Sequence, residues 1–402
     1  MGAVKNTIRV MDPVLASKIA AGEVVERPAS VVKELVENAI DAGATEVTVQ
    51  VAEGGKRLIR VADNGSGLSR EDAALAFERH ATSKITDESD LFDIHTMGFR
   101  GEAISSIASV ARVVIKTRLR GEVEGTRVTV EGGSEPEVGA EGMPEGTTVE
   151  VRDIFYNTPA RSKFMRTATT EYGHIADTFR KLVFARPEIR MKLTHGSSKP
   201  IEAGGRSLAE KISDIFGRDI MKELVPLKAV SAEGVSVEGL VGRPEFSGPT
   251  AKKLFTYING RWVRDRGVTR AVIDGYEGMI ERGRYPFAVI KLTLPPAEVD
   301  VNVHPAKSEV RFRKPSFIYD IVRAAVRGSF SAGSVAAGAP APPAPPYARP
   351  RTGYDSRSAR ELRPPGGWSM PGLKGPSGTA NPAFEFQKPS GDTVNPEFLA
   401  ME

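Results

Sequence analysis

Apolar residues in the first fifty positions follow a helical period most clearly over residues 31–43. Val32, Leu35, Val36, Ala39 and Ile40 fall on one broad stripe at about 100° per residue. Glu34, Asn38 and Asp41, at i, i+4 and i+7, share the opposite face. Pro28 precedes the run and Gly43 follows it, the usual punctuation of a helix. By itself the polar face reads equally well as a solvated surface or as a functional one.

The period then changes to two. Thr45-Glu46-Val47-Thr48-Val49-Gln50-Val51 alternates as a half-buried strand does, and a turn at Glu53-Gly54-Gly55-Lys56 leads into a second strand, Leu58-Ile59-Arg60-Val61-Ala62. So short a connection cannot hold a crossover helix, so the two strands are predicted to be antiparallel neighbours and this region is not a parallel β-α-β nucleotide fold. A helix is predicted over 71–80, and a Gly-punctuated loop opening into another helix over 97–107. Strands follow over 112–117, 126–131 and 146–151, with a long helix over 171–184.

The pattern breaks near Ala203-Gly204-Gly205. A second unit is predicted from there, with helices over 208–215, 268–281 and 317–329 and strands over 235–241, 255–259 and 287–294. Residues 330–402 hold 13 of the 28 prolines, and 339–350 is close to a polyproline run. Such a composition cannot bury enough apolar area to offset its ordering entropy. The expected organisation is therefore a first domain over 1–205, a second over 206–329 and a disordered Pro/Ala/Gly-rich segment over 330–402, with no third domain.

Composition removes several classes of chemistry. No cysteine is present, which excludes disulfides and thiolate metal sites, and the five histidines are never spaced at i, i+3 or i, i+4. No stretch approaches the roughly 20 apolar residues of a membrane span, and the amino terminus has neither a signal-peptide run nor a myristoylation pattern. The chain reads as cytosolic. A formal charge of +4 permits nucleic-acid binding without requiring it. There is no G-x-x-x-x-G-K-[ST] loop, no G-x-S-x-G elbow and no H-E-x-x-H. Gly65-Ser66-Gly67-Leu68-Ser69-Arg70 begins like a dinucleotide fingerprint, but Arg70 stands where its third Gly belongs.

Four islands remain: Glu34/Asn38/Asp41, Asp63-x-Gly65-x-Gly67, the loop Gly98-Phe99-Arg100-Gly101, and Thr148. Separately each has a plain structural reading; the second, for example, is a typical surface turn. Together they make chemical sense. A strand-end carboxylate beside glycines can accept from an amine-bearing ring lying against bare backbone. A Gly-rich loop at a helix amino end presents N–H groups to phosphates. An Asn oxygen suits magnesium, and a Glu one turn away can deprotonate water.

In this order the islands resemble the four motifs of the GHKL-type ATPase family, shared by DNA gyrase B subunits, heat-shock chaperones, sensor histidine kinases and the MutL-type mismatch repair proteins. The resemblance is greatest to the last group. It is carried by Ala20-Ala21-Gly22-Glu23-Val24-Val25-Glu26-Arg27-Pro28, Arg79-His80-Ala81-Thr82-Ser83-Lys84, Gly98-Phe99-Arg100-Gly101-Glu102-Ala103 and Asp300-Val301-Asn302-Val303-His304-Pro305-Ala306-Lys307. It covers about residues 6–329, with Ile104 where Leu is usual.

The resemblance implies an α+β fold: an α/β sandwich with an antiparallel or mixed sheet and helices on one face, then a second, smaller α+β domain. It implies ATP and Mg2+ as cofactors, with Glu34 as general base, Asn38 as magnesium ligand and Asp63 as the acceptor for the adenine amine. Asp41, Gly65, Gly67 and Thr148 would lie nearby. Thr82, Ser83, Lys84, Gly98, Phe99, Arg100, Gly101, Glu102 and Ala103 would form a lid over the phosphates. Lys307, a surface lysine on any other ground, would reach the γ-phosphate; His304 reads as structural.

Mismatch repair further implies ATP-dependent homodimerisation into a clamp, DNA as a partner through its backbone, and contacts with a mismatch-recognition protein and a downstream nuclease or helicase. Arg261, Arg264, Arg266 and Arg270 crowd around Trp262, and Arg311, Arg313 and Lys314 form a second basic cluster. Arg261, Arg264 and Arg266 are the candidate DNA contacts. No arginine finger is legible, so hydrolysis should be slow. A D-Q-H-A motif is absent, so no endonuclease activity is expected of this chain. The competing readings are a non-hydrolysing ATP-sensing scaffold and a topoisomerase- or chaperone-type ATPase.

Overall fold

The computed structural model describes residues 11, 22, 24–82, 84, 97, 98, 101–300 and 310–331. Ser83, Phe99, Arg100, His304, Lys307 and the segment 332–402 lie outside these residues.

Helix α1 (Pro28–Asp41) begins with proline at its first turn, where no backbone N–H is required. Its predicted stripe is buried, together with Val31, Ala29 and, on the polar side, Glu37. Each fully buried Val, Leu or Ile contributes about 1.5–3 kcal/mol, so the stripe is the helix's principal anchor. The chain then forms β1 (Glu46–Ala52) and β2 (Leu58–Asp63), short α2 (Arg70–Leu75) and α3 (Ala103–Val110), and β3 (Arg112–Arg118), β4 (Gly125–Glu131), β5 (Glu137–Glu141) and β6 (Gly146–Arg152). Helices α4 (Pro159–Phe164) and α5 (Ala168–Ala185) follow, then β7 (Arg190–His195) and β8 (Ile201–Ala203).

These strands form one eight-stranded sheet in the order β5-β4-β3-β6-β2-β1-β7-β8. β1 and β2 are antiparallel, as the short turn required, with Val49 opposite Val61. β1 also pairs in parallel with β7 (Val49 opposite Leu193), an arrangement made possible by the intervening helices. The sheet is mixed. One face buries Val47, Val49, Val51, Ile59, Val61, Ile115, Val149 and Val151. Across the other runs a polar ladder: Arg60 bonds Glu150 at 2.8 Å, Arg152 bonds Glu150 at 2.7 Å, and Lys116 pairs with Glu141.

The second part contains α6 (Leu208–Phe216), whose Ser207 and Glu210 make a reciprocal capping box. Strands β9 (Leu224–Pro226), β10 (Val230–Ala232), β11 (Val235–Gly242), β12 (Ser247–Gly248), β13 (Leu254–Ile258) and β14 (Arg261–Val263) precede α7 (Arg266–Gly275). They are followed by β15 (Tyr285–Pro286), β16 (Ala288–Thr293), β17 (Val299–Asp300), β18 (Arg311–Phe312) and α8 (Pro315–Ser331). The second sheet has the order β10-β11-β16-β13-β14, with β9 alongside β11. The larger apolar core continues from the first sheet into Leu224, Phe255, Tyr257, Phe287 and Val289, so the two sheets share a packed boundary. Among the described residues no helix is long and apolar enough to cross a membrane.

Two predicted helices are shorter than expected. The one expected over 71–80 ends at Leu75, which is exposed; bonds Phe77 N–H to Ala74 O and Glu78 N–H to Leu75 O tighten the chain into turns instead. The one expected over 268–281 starts earlier and stops at Gly275. A Cβ on Gly275 would come within 2.6 Å of Val326, so this glycine lets α7 and α8 approach closely.

Candidate ATP site

The polar face of α1 is lined by Glu34, Asn38 and Asp41, and each has a defined environment. Asp41 sits in the helix's last turn with its side chain only 6% exposed. Its carboxylate accepts from the Lys84 ammonium at 2.6 Å, from Met97 N–H at 2.8 Å and from Gly98 N–H at 3.0 Å. The same ammonium donates to Asn38 Oδ1 at 3.1 Å. A cation is therefore already held on the oxygens of Asn38 and Asp41, one turn apart. This hard-oxygen donor set is of the kind magnesium prefers, and it would be open to the ion once Lys84 moves towards an incoming anion. Gly98 faces the same point: an added Cβ would lie 3.2 Å from Lys84 Nζ and 3.6 Å from Asn38 Oδ1.

Glu34 and Glu37 share one cation, Lys33, whose Nζ lies 2.8 Å from Glu34 Oε1 and 2.9 Å from Glu37 Oε2. Burial pushes the Lys33 pKa down, but Glu37 and Glu34 outweigh it and hold it above its ordinary value. Sequence inspection singled out neither Lys33 nor Glu37. The i, i+4 spacing of this pair was the available signal.

At the end of β2, Asp63 Oδ1 accepts from Gly65 N–H at 2.8 Å. Burial raises the Asp63 pKa despite that bond and one from the Thr147 N–H. The loop is pinned to the end of α1 by Ser66 N–H on Ala42 O at 3.0 Å, and a Cβ on Gly65 would stand 2.8 Å from that carbonyl. Gly67 adopts φ +73°, and a Cβ there would lie 2.1 Å from Arg118 O. Only glycine serves at such a contact.

The expectation for Thr148 is corrected. Asp63 pairs with Thr147, and Thr148 pairs with Ala62. Successive strand residues point to opposite faces, so Thr147 shares the face of Asp63 and Thr148 does not. Thr147 Oγ1 lies 3.1 Å from Thr117 Oγ1, which also accepts from Leu68 N–H at 2.9 Å.

Around Gly101 the described residues of this stretch lie close together. Gly101, at φ +63°, packs its Cα so that a Cβ would fall 2.4 Å from Ala81 O and 3.1 Å from Thr82 Cβ. Thr82 Oγ1 accepts from Lys84 N–H at 3.1 Å, and Glu102 pairs with His80 at 3.2 Å. Ala103 opens α3, whose amino end has no side-chain cap and no acidic residue in its first turn. Its positive dipole end is thus available to an anion.

The three candidate DNA arginines separate. Arg264 and Arg266 are exposed. Arg261, from β14 of the second part, instead reaches the first: its Nη2 donates to Met97 O at 3.2 Å. Burial lowers the Arg261 pKa, and Glu37, Asp41 and Glu34 work against that shift. Its neighbour Trp262 lies under the Lys181 ammonium of α5, 3.6 Å from the ring centroid.

This arrangement matches known protein families in two separate blocks. Residues 26–138 match the family described as histidine kinase-, DNA gyrase B- and HSP90-like ATPase, and residues 212–331 match the C-terminal domain family of DNA mismatch repair proteins. The chain is 48% identical over 363 residues to the DNA mismatch repair protein MutL of Geobacter sulfurreducens, covering 89% of this chain and 60% of that one. This chain belongs to the MutL family. The MutL of Geotalea daltonii is 51% identical over 319 residues, covering 79% of this chain and 53% of that protein. The chain thus spans little more than half the length of these relatives. Among solved structures, the Aquifex aeolicus MutL ATPase domain complexed with ADP superposes with a TM-score of 0.52 at 27% identity, covering 74% of this chain and 98% of that one. The α+β fold of the family, a mixed sheet backed by helices and followed by a second domain, is the one described above.

Proposed function

We propose that residues 1–329 form a two-domain ATPase module of a mismatch repair protein, divided near 205/206, and that ATP occupies the space between α1, the Asp63–Gly67 loop and the lid. The observation that carries this reading is the convergence of Lys84 and the Met97–Gly98 backbone on Asn38 and Asp41. It supports a phosphate-responsive latch: an incoming anion competes for Lys84 and frees the Asn38 oxygen.

In this reading Asp63 accepts from the adenine amine, with Gly65, Gly67 and Thr147 around the ring. Lys84, Gly98, Gly101 and the amino end of α3 meet the phosphates, joined by Thr82, Ser83, Phe99, Arg100, Glu102 and Ala103 of the lid and by Lys307. Asn38 holds Mg2+, which when bound neutralises charge on the phosphates. Glu34 accepts a proton from the attacking water as its oxygen bonds the γ-phosphorus and the bond to the β-phosphate oxygen breaks, releasing ADP and phosphate. Lid closure pairs two modules into a clamp on DNA, linking mismatch recognition to a downstream nuclease or helicase in a bacterial-type cytosol. No strand cleavage is assigned to this chain.

The Glu34→Ala variant tests the reading. ATP-dependent dimerisation should survive while phosphate release disappears. Unchanged hydrolysis would remove Glu34 as the base. If the parent chain itself dimerises on ATP but releases no phosphate, the non-hydrolysing scaffold is the correct alternative.

A further inference from the structure

The geometry points to Lys33 as a positioning residue that ties down Glu34 and sets its strength as a base, with Glu37 as the anchor that keeps Lys33 in place. This inference rests on the reading of Glu34 as the general base and adds to it a control that neighbouring residues exert.

Lys33 Nζ bridges Glu34 Oε1 at 2.8 Å and Glu37 Oε2 at 2.9 Å. The Glu37 side chain is 8% exposed, so its ionised form is favoured by a cation held beside it, and Lys33 supplies one. Lys33 is thereby fixed at one end of Glu34, the residue immediately following it on α1. Among the described residues, the charges facing this group include Arg261 of β14, whose field reaches Glu34, Glu37 and Asp41, and Lys84, which sits farther along the helix on Asp41 and Asn38.

Two consequences follow from an ammonium held on a catalytic carboxylate. An opposite charge at this distance stabilises the ionised form, so Glu34 stays deprotonated to lower pH and is a weaker base. The bond also fixes which carboxylate oxygen is committed to the cation, and so orients the carboxylate towards the water it must deprotonate. Slow turnover then has a cause in the ground state of the base, in addition to the lack of a legible arginine finger.

The test compares the parent chain with Lys33→Met and with Lys33→Met/Glu37→Gln. The double variant removes both members of the anchoring pair and so avoids stranding a buried carboxylate if the single variant fails to fold. The Glu34 carboxyl is titrated by 13C NMR in the nucleotide-free chain, its signal assigned by loss in Glu34→Gln, and the pH profile of single-turnover ATP hydrolysis is measured in parallel.

We expect the Glu34 titration and the acid limb of hydrolysis to move up together by about one pH unit or more when Lys33 is removed. ATP affinity should change by less than about threefold, because Lys33 acts through Glu34 and not on the nucleotide. An unmoved Glu34 titration would overturn the inference, and so would a moved titration with an unmoved acid limb. Failure of the base reading is separate: in that case Glu34→Gln still hydrolyses ATP, whatever Lys33 does to the titration.

Discussion

The backbone N–H of Gly98 donates to the carboxylate of Asp41 over 3.0 Å, fastening the lid to the last turn of α1. Because Met97 N–H and the Lys84 ammonium share that carboxylate, one buried side chain holds three lid groups. Asp41→Ala should therefore loosen the lid as a unit. It should cost about 2–4 kcal/mol of stability, since two backbone donors and a cation lose a charged acceptor. Urea unfolding measures that cost, and titration with a non-hydrolysable ATP analogue should show at least tenfold weaker binding. Intact affinity would mean that Asp41 braces α1 without governing the lid.

Asp63 carries a pH signature. Burial raises its pKa in the folded chain, so at neutral pH its charge opposes folding, and that penalty is relieved as pH falls through the raised value. Nucleotide binding has the opposite dependence, because a protonated carboxyl is a weaker acceptor for the adenine amine than the carboxylate is. ATP affinity should thus decline on acidification at a higher pH than an ordinary aspartate would cause. Asp63→Asn should fold as stably as the parent or more so while binding ATP about a hundredfold more weakly, about 2.7 kcal/mol. Thermal melts and ATP titrations from pH 5 to 8 check both halves.

Local pattern made much of this legible. The stripe on α1, the short β1–β2 turn and the helix predicted over 171–184 all arise from contacts near in sequence, and they form where the periods place them, the helix running over Ala168–Ala185. The parallel pairing of β1 with β7 does not arise that way, since Glu46 and its partner Arg190 are far apart in the chain. Thr148 was misassigned because the motif fixes a neighbourhood, whereas strand register and alternation choose which of two adjacent threonines faces Asp63. Arg261 was grouped with Arg264 and Arg266 by composition alone. Only the packing of β14 beside the first sheet's helices turns it towards Met97.

Gly67 offers a sharp steric test. Its φ of +73° and the 2.1 Å separation from Arg118 O to an added Cβ leave no space for alanine. Gly67→Ala must shift the loop away from β3, costing about 2–4 kcal/mol and carrying Asp63 with it. Gly121, also at positive φ, has nothing within 4 Å of an added Cβ, so Gly121→Ala should cost only about 1 kcal/mol. Chemical denaturation of the two variants, with ATP titration, separates backbone strain from steric exclusion.

The divergence of Arg261 from its neighbours gives the last prediction. DNA contact through Arg264 and Arg266 would be backbone contact, so Arg264→Met/Arg266→Met should weaken binding to all sequences alike and flatten the salt dependence by about one unit of slope per phosphate lost. Arg261→Met should leave that slope unchanged, because its guanidinium is turned to Met97 O and to the acids of α1. Its effect should appear in nucleotide handling: three acidic side chains lose a shared cation, and the Met97 carbonyl loses its bond from the guanidinium. A several-fold fall in ATP affinity with an unaltered DNA salt slope is the expected result. A reduced slope in Arg261→Met would return this residue to the DNA-facing set and place the nucleotide effect elsewhere.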